Sequence, residues 1–109
     1  MDVMIIAILD DGGVMVHGTL ADAQREHEGI DVEYGAVLFY DAHGQRLRPR
    51  FTQPNVRSSF VVTSGQFDLQ VAGDARDELT AALDAASYLE PTPIVASLAR
   101  LRDLVTGAN

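Results

Sequence analysis

Residues 3–20 read VMIIAILDDGGVMVHGTL, and the reading of this stretch decides the fold. Two runs rich in β-branched residues, Val3 to Leu9 and Val14 to Leu20, flank Asp10-Asp11-Gly12-Gly13. Asp and Gly accept the positive φ angles that hairpin turns require, so the stretch predicts two antiparallel strands joined by a tight turn. Val14, Val16 and Gly18 alternate with Met15, His17 and Thr19, so the two faces of the second strand differ in polarity. The first run is too short to span a bilayer, which needs about 20 residues. Asp2 opposes the basic flank of a secretion signal. Val3 to Leu9 is therefore expected to be a buried strand.

Thr19-Leu20-Ala21-Asp22 follows as a capping box. The Thr hydroxyl accepts from a first-turn amide, and the Asp carboxylate reaches back. Leu20, Ala23 and His27 share one helical face, and Gly29 is the expected helix stop. Within that reading Glu26 and Glu28 fall in the last turn, where the helix dipole disfavours acids. Such a placement suggests that these carboxylates face a partner.

Beyond the helix, Ala36 to Tyr40 predicts a strand, and Asp41 to Gly44 a turn. Gln45 to Phe51 alternates, with Arg46, Arg48 and Arg50 opposite Leu47 and Phe51. Pro49 cannot donate to a ladder, which predicts an edge strand or its frayed end. Phe51 to Ser59 reads as a loop. Phe60 to Thr63 and Phe67 to Ala72 predict strands around Ser64-Gly65, and Phe67, Leu69 and Val71 alternate with Asp68 and Gln70. Asp74 is the expected N-cap of a helix whose apolar stripe is Leu79, Ala82, Leu83, Ala86 and Leu89, ended by Pro91. Thr92-Pro93 predicts a restart, with Ile94, Leu98, Leu101 and Val105 as the next stripe and Gly107 as its close. The expected architecture is one α+β domain over residues 1–109. An antiparallel sheet of five or six strands has a short helix after the first hairpin and two C-terminal helices packed on one face.

A chain of 109 residues can form one core without disulfides or metal. Its 47% hydrophobic content excludes a disordered tail. With no Trp, the core must rest on aliphatics and on Phe39, Phe51, Phe60 and Phe67. The absence of Cys removes disulfides, zinc–thiolate sites and thiol nucleophiles together, and fits a cytoplasmic location. The net charge is −8, and all eight basic residues are Arg. Such a chain repels nucleic acid and anionic lipid and favours a basic protein partner. The charge is also segregated: residues 1–41 hold nine acids and one Arg, and residues 42–67 hold four Arg and no acid.

The sequence shows no familiar catalytic or metal constellation. After His27-Glu28 come Gly29, Ile30 and Asp31, so the HExxH pattern is absent, and the calcium-loop pattern fails after Glu33. No metal and no cofactor are expected. None of Ser58, Ser59, Ser64, Ser87 and Ser97 lies in a nucleophile elbow, so no enzymatic activity is expected. Arg46, Arg48, Arg50 and Arg57 could hold an anion, or could form the charged face of an edge strand that deters wrong pairing.

The run GTLADAQREHEGIDVEYGAVLFYDAHGQRL, residues 18–47, resembles a group of small bacterial proteins of uncharacterised function. Those combine a short helix, acidic residues, I-D-V-E-x-G, an apolar strand and an aromatic-D-A-x-G-x-x-L segment. The matching residues are Ile30, Asp31, Val32, Glu33 and Gly35, then Tyr40, Asp41, Ala42, Gly44 and Leu47. The basic stretch at 46–57 and the C-terminal half depart from the pattern. The resemblance implies no catalytic residues and suggests an immunity-type inhibitor that neutralises a bacterial toxin by direct contact. Its surface would comprise Glu26, Glu28, Asp31, Glu33, Tyr34, Tyr40 and Asp41, meeting a basic toxin or effector. A secretion-system chaperone or adaptor and a small anion-binding module are the alternatives. The apolar helix stripes bury equally well inside a monomer or across a homodimer.

Overall fold

A computed structural model of the chain describes residues 4–58 and 62–107. Val3, Ser59, Phe60 and Val61 of the expected elements lie outside the described residues. The fold is α+β. Strands β1 (Ile5–Leu9), β2 (Gly13–His17), β3 (Val37–Asp41), β4 (Gln45–Gln53), β7 (Gln66–Asp74) and β8 (Tyr88–Leu89) form a six-stranded sheet in the order β7-β4-β3-β1-β2-β8. All its neighbours pair antiparallel except β2 and β8, which are parallel. Strands β5 (Val56–Arg57) and β6 (Val62–Thr63) form a small separate ladder. Helices α1 (Leu20–Glu26) and α2 (Gly29–Glu33) follow the first hairpin, while α3 (Arg76–Ala85) and α4 (Leu98–Thr106) lie towards the C-terminus.

The central strands look uniformly apolar in sequence because both their faces are covered. Ile5, Ala7, Val37 and Phe39 point to one face, where they meet Ala23 of α1, Val32 of α2, and Leu47, Phe67 and Leu69. Ile6, Val14, Val16 and Tyr40 point to the other, under Leu79 and Leu83 of α3 and Leu101 and Val105 of α4. The period of two sorts successive residues between two cores, as strand geometry demands. The C-terminal helices thus share one face as expected, and α1 and α2 occupy the opposite one.

Several expected boundaries move. Asp74 ends β7 instead of capping a helix, and α3 starts at Arg76 after Ala75, without a side-chain cap. Leu89 does not continue the α3 stripe. Tyr88 and Leu89 add to the edge of β2, with Ser87 N–H donating to Gly12 O (2.7 Å) and Glu90 N–H to Val14 O (2.9 Å). The last helix is capped by Ser97, whose Oγ accepts from Arg100 N–H (3.1 Å), and not by Thr92. Its close at Gly107 is as expected, in the left-handed conformation (φ 75°).

β4 lies between β7 and β3 in the sheet order and is not an edge strand, but its ladder with β3 ends at Leu47, so Pro49 falls in the frayed end of that ladder. Pro49 stands opposite Leu69 of β7, whose N–H points outward and donates to Gln24 Oε1 of α1 (2.9 Å). In an antiparallel pair both opposed residues then point their amides outward. The nitrogen of Pro49 therefore faces the β3 side. Pairing between β3 and β4 is recorded at Leu47 and Arg46 only, so the missing N–H costs the sheet no bond.

Candidate functional site

The acidic stretch of residues 26–34 forms the end of α1 and the whole of α2. His27 leaves the helical conformation (φ −117°, ψ 132°), and Glu28 is the extended N-cap of a new helix that starts at Gly29. Gly29 is thus a start, contrary to its expected role as a stop. The left-handed residue is Gly35 (φ 77°). Gly35 N–H donates to Val32 O (3.1 Å) and Ala36 N–H to Asp31 O (3.0 Å). These are the paired bonds of a Schellman ending. Gly29 is needed for space: a Cβ there would stand 2.7 Å from Asn55 Oδ1 and 2.8 Å from Gly65 O. The electrostatic reading changes with this boundary. Glu28 and Asp31 now lie at the positive end of α2, where carboxylates are favoured, and only Glu26 keeps the unfavourable place at the end of α1.

Asn55 fastens α2 to the turn before β7. Its Nδ2 donates to Gly29 O (3.1 Å) and to the Glu33 carboxylate, and its Oδ1 accepts from Gly65 N–H (2.7 Å). Gly65 itself admits no side chain, since a Cβ would fall 2.0 Å from Gln53 O. Val32 is buried below, so Glu28, Asp31, Glu33 and Tyr34 project into solvent, with Tyr34 67% exposed. Arg57 reaches across from β5, donates to Tyr34 Oη, and holds its guanidinium carbon 4.4 Å from the ring centroid. This geometry is a cation–π contact. Glu33, Tyr34, Asn55 and Arg57 line a cleft of about 360 Å³.

Two residues expected on the binding surface are structural instead. Tyr40 is 1% exposed and faces the α3–α4 core. Burial and its pairing with Glu78 push its hydroxyl up to about 12. Asp41 is 7% exposed, and its Oδ1 accepts from His43 N–H (2.9 Å) and Gln45 N–H (3.0 Å), closing the β3–β4 turn. An aromatic so deeply buried cannot anchor a partner, and a carboxylate used by its own turn offers little to one.

The four arginines do not converge on an anion. Arg46 meets Glu78 (3.5 Å) and lies 5.6 Å from the Tyr40 ring centroid, Arg50 meets Asp68 (3.5 Å), and Arg57 covers Tyr34. Arg48 is exposed between them.

A histidine pair is the feature that sequence spacing did not disclose. His17, the last residue of β2, and His27, just after α1, bring their Nε2 atoms to 2.9 Å with rings nearly perpendicular (87°). His27 also packs edge-on against Phe39, with centroids 5.2 Å apart. One Nε2 donates and the other accepts. Burial holds both imidazoles below their ordinary value. His27, also disfavoured by the charge of its partner, is pushed down to about 4 against the opposing pull of Glu26 and Asp31. Both rings are therefore neutral at pH 7. The sequence places His27 near the Leu20/Ala23 stripe and His17 at an alternate position of a strand, and nothing local says that the two meet. Among the described residues, no three or more His, Asp or Glu side chains are grouped to hold a metal ion, and no helix is long and apolar enough to cross a membrane. Comparison with known proteins gave no match: no family model, no curated protein and no solved structure.

Proposed function

We propose that this chain is a non-catalytic, cytoplasmic protein-binding domain of the immunity type, neutralising a basic bacterial toxin or effector by direct contact through α2 and its flanks. The observation that carries the reading is Tyr34, an exposed aromatic beside Glu28, Asp31 and Glu33 on a backbone held by the Schellman ending and by Asn55. Rigid aromatics supply much of the energy of protein interfaces, and surrounding charge sets on-rate and selectivity. The Arg57–Tyr34 stack supports the polarity of the partner, because the ring already accepts a guanidinium within the chain. Glu26 extends the acidic face, whereas Tyr40 and Asp41 sit within the fold.

The test is co-purification from native extract, followed by co-expression of the captured protein with and without this chain. Rescue from toxicity is expected for the wild type and loss of rescue for Tyr34→Ala and for Glu28→Lys/Glu33→Lys. Capture without toxicity, or full rescue by both variants, contradicts the reading.

A secretion-system adaptor is the second reading. It is favoured by β7, the last strand of the sheet order, with Val71 exposed on a strand whose outer side pairs with no other strand among the described residues. An extended segment could add there, and that reading predicts a homodimer or a peptide complex with no toxicity rescue. The anion-binding alternative loses its support with the dispersal of the arginines.

A further inference from the structure

The His17–His27 pair adjoins the surface proposed for partner binding, with His27 between Glu26 and Glu28, and has a chemistry of its own. The two rings come from different elements, the end of a central strand and the exit of α1, and their Nε2 atoms point at one another across 2.9 Å. His17 is 6% exposed. Its position is fixed by the β1–β2 ladder, where it stands opposite Ile5, and that of His27 by its contact with Phe39. Two imidazole nitrogens on a tetrahedral zinc, each at about 2.0–2.1 Å, stand about 3.3 Å apart. The pair therefore needs to open by about 0.4 Å, and both rings to turn so that their lone pairs converge on the ion.

We propose that His17 and His27 form a two-histidine site for a borderline transition-metal cation of the zinc(II) class, the metal taking the place of the proton shared between the two Nε2 atoms. That proton moves to Nδ1 of the ring that carried it. Both rings then present Nε2 lone pairs and keep one N–H each, and no proton is released from two neutral imidazoles. Imidazole suits zinc, copper and nickel and does not suit magnesium or calcium, which take oxygen ligands. Burial disfavours positive charge at both rings, and the nearby carboxylates of Glu26, Asp22 and Asp31 offset part of that cost. Arg25 is paired with Asp22. His17 lines a cleft of about 350 Å³ between α1 and residues 90–94, and His27 lines another of about 540 Å³ bounded by Gln24, Glu28 and Gly65. With two protein ligands the site remains open, unlike the closed four-ligand sites of structural zinc. Binding would tie the exit of α1 to the end of β2.

The test uses tag-free, chelator-stripped protein of residues 1–109 titrated with zinc chloride. Calorimetry is expected to show one equivalent per chain, and the thermal midpoint should rise with zinc concentration. Long-range ¹H–¹⁵N spectra should move the Nε2 resonances of His17 and His27 and bring both rings to the Nδ1–H tautomer, while His43 stays unchanged. His17→Gln and His27→Gln should each weaken binding by at least about tenfold, and His43→Gln should leave it intact. Magnesium at the same concentrations should give no response. If a histidine variant fails to fold, the wild-type imidazole spectra decide alone. Failure to saturate with millimolar zinc, zinc shifts at His43 instead of the pair, or wild-type affinity in folded His17→Gln or His27→Gln overturns the assignment.

Discussion

Replacing Asn55 with Ala tests how the candidate surface is held. The carboxamide serves three groups from three segments: Gly29 O at the start of α2 (3.1 Å), Gly65 N–H before β7 (2.7 Å), and the Glu33 carboxylate. The contact to Glu33 is at the surface, where a single charged contact contributes little. The other two join backbone groups in a half-buried junction. Alanine leaves both without their partner, at about 1–1.5 kcal/mol each once desolvation is included, or about 2–3 kcal/mol in all. For a domain of this size such a loss lowers Tm by roughly 8–20 °C. Urea unfolding monitored by circular dichroism measures the free energy, and amide exchange across residues 29–36 locates it. The exchange rates there should rise more than those of β1 and β3. Asn55→Asp separates the two backbone bonds. It keeps an acceptor for Gly65 N–H, loses the donor to Gly29 O, and sets a second carboxylate beside Glu33. Its deficit should match or exceed that of alanine at pH 7 and shrink below about pH 4, where a free Asp side chain takes up a proton. An Asn55→Ala protein within about 0.5 kcal/mol of wild type, with unchanged exchange in α2, would refute the reasoning. Surface contacts alone would then suffice to hold the helix.

Gly65→Ala should be worse, because its Cβ would meet the immobile carbonyl of Gln53 at 2.0 Å. A loss of at least about 3 kcal/mol is expected from overpacking against backbone, read as a fall in urea midpoint or as failure to accumulate folded protein. Leu83→Ala empties a fully buried site between α3 and the sheet and should cost about 2–5 kcal/mol with an unchanged m-value. Tyr40 supplies an alkaline signature. Its hydroxyl is raised to about 12 in the fold and ionises near 10 when unfolded. The stabilisation it gives is complete below pH 10 and is lost as pH rises towards 12, by on the order of 2–3 kcal/mol. Tyr40→Phe should flatten that alkaline limb in urea titrations between pH 9 and 12; an unaltered limb assigns the effect to other groups.

Local chemistry made some of this molecule legible in sequence. The Asp-Asp-Gly-Gly turn, the Thr19 cap, whose Oγ1 accepts from Asp22 N–H (3.0 Å), the Asp41–Gly44 turn and the alternation of Phe67 and Leu69 each depend on residues within a few positions of one another. They are found where their spacing puts them. The reciprocal half of the capping box is different, because the Asp22 carboxylate turns to Arg25. The same acidic segment was read correctly as exposed around Glu28, Asp31 and Glu33, since charge seeks water whatever the fold. What the sequence could not supply are distances between segments. Leu89 has the right spacing for a helical stripe, and a two-residue strand needs only an open edge on β2 to claim it. Pro49 is compatible with an interior strand because β3 stops pairing before reaching it, and Gly29 is required by Asn55 and Gly65, remote in the chain. Tyr40 and Tyr34 differ little as letters; one falls under α3 and the other beside Arg57. The histidines are ten positions apart on a strand and a helix exit, and only the packing of α1 on the sheet brings their nitrogens together. The sequence by itself determined elements, polarity and turns, because these follow from backbone preference and periodicity. The tertiary structure alone decided which face each helix covers, which aromatic stays exposed and which imidazoles meet, because those depend on closing the chain on itself.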